Sequence, residues 1–329
     1  MQRNHYFDFL RGIAIMMVVA IHTFNIAETD LVRNAVDVNA LVRQTLNCAV
    51  PIFLAISGYF LCAKKLDTWA DCRAFWRKQI PKVYVPTMIV SLPYMAWAIR
   101  QGSNPLAAVA MMLVCGYGIY YFVALILQHY ALLRMFKNVN GGGVILCAIV
   151  SLSSILFVTY ITKIKGHELS LIEYAGPCPV WCVFFAMGCY LRKCGRRYRL
   201  FLPIAITLAG MLVQYAETYY LNVTFGGGFG IKFSSFVYSM AVIMLLFSAR
   251  IEQAYNRNAI SRAIEHIGGI SFAVYLYHCF VIGIFCKLQI YTETPWIARW
   301  AASLAATIAV ISILKRILPR KYSWMLGVN

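Results

Sequence analysis

The stretch FDFLRGIAIMMVVAIHTF carries three ionisable side chains, Asp8, Arg11 and His22, in otherwise apolar surroundings. An imidazole can take a proton from a hydroxyl at neutral pH. A guanidinium can hold a phosphate or carboxylate through paired, charge-assisted hydrogen bonds. Asp8 precedes Arg11 by three positions, a helical spacing at which its carboxylate can pair with the guanidinium and orient it. Proton transfer at His22 and anion binding at Arg11 are the chemistries these residues offer.

Both need a helix to position them. An α-helix turns about 100° per residue, so the steps from Arg11 to His22 complete almost three turns and return to the same face, roughly 16 Å further along the axis. Asp8 falls on that face too, and Ile15 and Val18 fill the gap. A charged side chain at mid-membrane costs on the order of 2.5–3.5 kcal/mol, so this stripe should face the inside of a bundle and not lipid.

The chain supports a bundle. Its 329 residues are 61% hydrophobic and 13% charged, with mean hydropathy +0.68, far from a soluble globular composition. Apolar runs near 7–26, 45–63, 83–99, 117–133, 144–161, 177–191, 200–221, 233–249, 267–286 and 297–314 predict an all-α membrane protein of about ten helices. Segment 106–116 is too short to cross and reads as interfacial or re-entrant. The first run carries Arg11 and His22 and lacks a convincing cleavage site, so it is expected to be retained as the first helix. Loops are short, the longest being about 27–44, and a single domain over 1–329 is expected.

Charge gives the orientation. With the N-terminus inside, the inner segments hold Arg3, Arg11, Lys64, Lys65, Arg73, Arg77, Lys78, Lys82, Arg134, Lys137, Arg192, Lys193, Arg196, Arg197, Arg199, Arg250, Arg257, Arg262, Lys315, Arg316, Arg320 and Lys321, which is 22 of the 30 basic residues. The outer segments keep the rest, partly balanced by acids such as Glu28, Asp30 and Glu293. Both termini are therefore expected in the cytoplasm. The net charge of +18 follows this topology and forms no free-standing basic domain, which argues against nucleic-acid binding. The eleven cysteines lie mostly in or at the ends of helices, and pairs such as Cys178 with Cys182 lack zinc-ligand company, so they read as packing residues and no metal site is expected.

Other polar groups sit on the remaining helices. In GGISFAVYLYHCF, Ser271, Tyr275 and His278 share one face, where they can line an acceptor path, stabilise an oxyanion or simply bond between helices. Tyr117, Tyr121 and Gln128 form a similar stripe, with packing as the plain alternative. In VPIFLAISGYFL, Pro51, Ser57 and Gly58 suit close helix approach. The loop FWRKQIPKVYVP presents Arg77, Lys78 and Lys82, which can hold a phosphate-bearing ligand or mark the inner face. Gly141, Gly142 and Gly143 read as a flexible connector before the fifth helix.

Together FDFLRGIAIMMVVAIH, VPIFLAISGYFL, RKQIPKVYVP and SFAVYLYH resemble the membrane acyltransferase-3 family over nearly the whole chain. The family includes bacterial inner-membrane O-acetyltransferases that modify O-antigen, enterobacterial common antigen and other surface glycans. The chain departs from the family pattern at Gln79 and Lys82, where arginine is usual, and at Tyr121, where tryptophan is. The resemblance implies a multi-pass inner-membrane protein with about ten helices, cytoplasmic acetyl-CoA as donor, a lipid-linked or polymeric glycan hydroxyl as acceptor, a catalytic His22 and an important Arg11. On this reading acetyl-CoA is a co-substrate and no cofactor is permanently bound. Arg11 with Arg77, Lys78 and Lys82 is expected at the donor phosphates, Asp8 behind Arg11, and His22 as general base or acyl-carrying relay. A proton-coupled transporter or glycan exporter using Asp8, Arg11 and His22 as a relay is the competing reading.

Overall fold

The computed structural model describes residues 4–24, 29–31, 33 and 36–328. Arg3 and Glu28, which entered the charge count, lie outside the described residues, as does the side chain of Arg320. The described residues are mostly helical and contain no strand. In order its helices are α1 His5–Thr23, α2 Val38–Thr45, α3 Ala49–Leu61, α4 Trp69–Arg100, α5 Pro105–Leu113, α6 Tyr121–Phe136, α7 Gly141–Thr159, α8 Leu171–Ala175 and α9 Cys178–Lys193. They continue as α10 Phe201–Phe225, α11 Phe233–Leu246, α12 Ala249–Ala254, α13 Ala259–Gly269, α14 Ser271–Phe285, α15 Gln289–Thr292, α16 Trp296–Ile317 and α17 Arg320–Ser323.

Among the described residues every predicted apolar run forms helix, but not every one has the length and composition of a membrane span. Six stretches do: His5–Thr23, Val38–Leu61, Gly118–Phe136, Gly141–Ile164, Phe201–Phe225 and Trp296–Ile317. The ninth predicted run is broken. α13 and α14 meet at a bend of 79°, and together they pass the same test as one interrupted span. The dipeptide Gly268–Gly269 ahead of Ile270 is the local cause, since consecutive glycines weaken the helix where it must turn.

Three other expectations are corrected. FWRKQIPKVYVP is no loop: Thr68 caps a 32-residue α4 through a reciprocal bond with Asp71, and the helix runs on through Pro81, Pro86 and Pro93. The backbone N–H and hydroxyl of Thr68 hold the Asp71 carboxyl below its usual range. Gly141–Gly143 form the first turn of α7, with the Asn140 side chain accepting from the N–H of Gly143 at 2.9 Å, and are therefore no flexible connector. The stretch 27–44 contains most of α2, capped by Asp37. Segment 106–116 forms the nine-residue α5 against α4, too short to span a bilayer.

Glycines set the closest packing. A Cβ added at Gly58 of α3 would collide with the carbonyl oxygen of Phe185, and one at Gly188 of α9 with that of Ala55, so α3 and α9 touch backbone to backbone. α9 is accordingly buried along most of its length. A second crossing joins α1 to α13, where Gly12 faces the carbonyl of Ile264 and Gly268 faces that of Asp8. Small residues at both seams allow the dispersion contact on which helix association in a membrane depends. Glu265 anchors the outer side of α13 by accepting from Tyr255 at 2.8 Å and from Arg257 at 3.0 Å, with His5 at 2.9 Å.

Candidate active site

α1 delivers its polar stripe to a cavity of about 300 Å³. Arg11, Ile15, Val18 and His22 all line it, the same face the spacing predicts. Asp8 sits behind them, 7% exposed, and accepts from Arg11 Nη1 at 2.8 Å. The guanidinium also lies over the Phe60 ring, 5.2 Å from its centroid. His22 belongs to a bundle helix yet is exposed, because its ring opens into the cavity.

α14 brings the other expected residues. Ser271 and Tyr275 line the cavity, while His278 is fully buried behind it. The Tyr275 hydroxyl donates to the Ile119 carbonyl at 2.6 Å, and Tyr120 returns a bond to the Leu276 carbonyl at 3.0 Å. These bonds fasten α14 to the start of α6, so Tyr275 offers the cavity its ring face with its hydroxyl already engaged. Nδ1 of His278 stands 2.9 Å from the carbonyl oxygens of both Val274 and Tyr275. Carbonyls only accept, so Nδ1 carries the hydrogen and Nε2 keeps its lone pair. The His22 and His278 ring centroids are 5.3 Å apart.

Ligand atoms of His22, His278 and Cys279 lie within 4.8 Å of one another. Two imidazoles and a thiol form a set suited to a zinc-like ion. Spacing along the chain does not reveal this grouping, because α1 and α14 meet only in the fold.

The basic residues of α4 are placed elsewhere. Arg77, Lys78 and Lys82 are exposed on α4, and none lines the cavity with Arg11. Tyr121 does line it, whereas Gln128 acts as a bridge between helices, donating to the Gly176 carbonyl at 2.8 Å and accepting from Cys178 N–H at 2.9 Å.

Of the lining residues missed in the sequence, four bear most on the chemistry. Tyr174 and Trp181 supply aromatic wall, the Trp181 indole N–H being tied to the Ala175 carbonyl at 2.7 Å. Arg43 and Asn47 come from α2 and the turn after it, and Arg43 Nη1 donates to Asn47 Oδ1 at 2.8 Å. A helical spacing of four between them was the available signal, hidden because it crosses from what looked like a polar loop into the next predicted helix.

A mostly apolar, aromatic-walled cavity lined by an imidazole and two guanidinium groups can hold an extended polar-headed ligand and move a proton at the imidazole. The family comparison agrees. The family model Acyl_transf_3, described as an acyltransferase domain, matches residues 4–316. The chain belongs to the acyltransferase-3 family. As a member it is a membrane acyltransferase, and the match takes in every cavity residue named above. Neither the curated proteins nor the solved structures contain a match.

Proposed function

We propose that the protein is a ten-crossing inner-membrane O-acetyltransferase, with both termini cytoplasmic, that moves an acetyl group from acetyl-CoA to a hydroxyl of a surface glycan. The observation that carries this reading is the cavity that runs along α1 with Arg11, Ile15, Val18 and His22 in its wall. In this scheme Arg11, oriented by Asp8, receives the donor's phosphates at the start of α1, and the pantetheine arm extends toward His22. The exposed Arg77, Lys78 and Lys82 attract the polyanionic donor from outside the cavity.

At the reacting centre His22 removes the acceptor's hydroxyl proton as its oxygen attacks the thioester carbonyl. The tetrahedral intermediate collapses with departure of the CoA thiolate, which takes up the proton. A relay through acetyl-histidine gives the same products in two steps. The aromatic wall offers flat faces to a sugar ring, and the bound acceptor completes the exclusion of water from the thioester.

The test uses purified protein in liposomes with radiolabelled acetyl-CoA and the isolated surface glycan of the source cell. Wild type should release CoA and label the glycan. His22→Ala should lower the rate by about 10²–10⁴-fold while keeping its helix content and elution volume. Movement of glycan across the bilayer without consumption of acetyl-CoA would support the exporter reading and remove this one.

A further inference from the structure

The cavity's second arginine is held differently from its first. Arg43 is 7% exposed, lines the cavity, and makes its hydrogen bond to a neutral amide, Asn47. Among the described residues no carboxylate stands within ion-pair distance of it. Behind it lies Lys232, 1% exposed, whose Nζ donates to Gln44 Oε1 at 2.5 Å. The same oxygen accepts from Asn47 Nδ2 at 2.9 Å, so one amide cluster holds both basic side chains. The carboxylate of Glu217 is engaged by the backbone N–H of Ser234 at 2.9 Å and by its hydroxyl.

A buried charge without a counter-ion is costly, and one maintained at a cavity wall is best explained by an anion that arrives with the ligand. Arg43 borders the same cavity as His22, whereas Arg11, about 16 Å along α1 from His22, already has Asp8. We propose that the Arg43 corner binds a singly charged oxyacid group on the acceptor, either the carboxylate of an acidic sugar or a phosphodiester of a sugar-phosphate repeat. This rests on the acyl-transfer reading. One guanidinium with a single nitrogen held by Asn47 keeps donors for one such group, and a guanidinium that stays charged at the cavity wall fits a ligand that is charged on arrival better than a charge that appears only in the transition state.

The experiment compares wild type, Arg43→Gln and Arg43→Lys in liposomes with acetyl-CoA and the source cell's surface glycan in three forms. These are native, amidated with carbodiimide and methylamine to cap carboxylates, and treated with hydrofluoric acid to cleave phosphodiesters. One treatment should raise the wild-type KM for glycan about tenfold or more, and which one identifies the group. Arg43→Gln should raise the KM for native glycan by about the same factor, and Arg43→Lys by less, with kcat and the KM for acetyl-CoA moving less than about twofold.

Equal acceptance of all three glycans by wild type overturns the proposal, and this arm stands even if the variants do not fold. A fall in kcat in place of a rise in glycan KM overturns it in favour of oxyanion stabilisation, and a raised KM for acetyl-CoA in favour of a donor site. Wild type that never consumes acetyl-CoA instead brings down acyl transfer itself, a result separate from all of these.

Discussion

Arg11 and Arg43 line one cavity, but the fold treats their charges in opposite ways. Arg11 stands on α1 with a carboxylate three residues away and an aromatic ring beneath its guanidinium. Arg43 stands on α2 with an amide for a partner and a buried lysine amine behind it. The first is a local device, complete within one turn of one helix. The second is assembled from α2, the turn after it and the Lys232 cap of α11, and it is left electrostatically open. A neutralised cation can guide a ligand without depending on it, while an open one gains most of its stabilisation when the ligand binds.

The frame at the Arg11 end is the feature most easily broken. Gly268→Leu should abolish assembled protein on size-exclusion chromatography, because its side chain would meet the Asp8 carbonyl and the Gly12 backbone. Gly230→Ala, at a position with nothing within 4 Å of a new Cβ, should leave the elution profile unchanged.

Exchanging the two charge environments should have the next largest effect. Asn47→Asp would give Arg43 the carboxylate that Arg11 has. The expected result is a glycan KM raised about tenfold, as the internal carboxylate competes with the ligand, and a melting temperature raised by about 2–4 °C. Asp8→Asn removes the orienting charge at the other end. It should raise the KM for acetyl-CoA about five- to tenfold with the glycan KM unchanged, measured in the same assay.

Removing charge outside the cavity should matter least. Arg77→Ala and Lys78→Ala should alter the KM for acetyl-CoA less than about threefold, and the effect should fade as salt rises, since exposed charges act at long range and are screened. A tenfold, salt-independent effect would instead place the donor phosphates on α4.

The Arg11 end was legible in the sequence and the Arg43 end was not, for one physical reason. Helical periodicity is local, so a single apolar run suffices to place Asp8, Arg11, Ile15, Val18 and His22 on a face. Arg43, Tyr174 and Trp181 share a wall only because α2, α8 and α9 border the same cavity as α1, and no period along the chain encodes that. The same holds for the approach of His22 to His278 and Cys279. The glycine seams lie between. Gly58 announces close packing, but the partner it packs against, α9, is known only from the fold. Charged residues misled where they sat inside helix, as at Arg77, Lys78 and Lys82, because a basic run ahead of an apolar one looks like a loop whether or not the helix has already begun.

The bend between α13 and α14 has a consequence for water. No side chain caps the start of α14, and Ser271 and Phe272, which open it, line the cavity. Amide groups at such a break are not tolerated in lipid and call for water or a polar ligand. The resting cavity should therefore be hydrated at this level, and that water should compete with the glycan for the thioester. Occupation by the acceptor is then the event that dries the site, so an idle enzyme loaded with donor should slowly hydrolyse it, and a bound glycan should protect the thioester from water while consuming it productively.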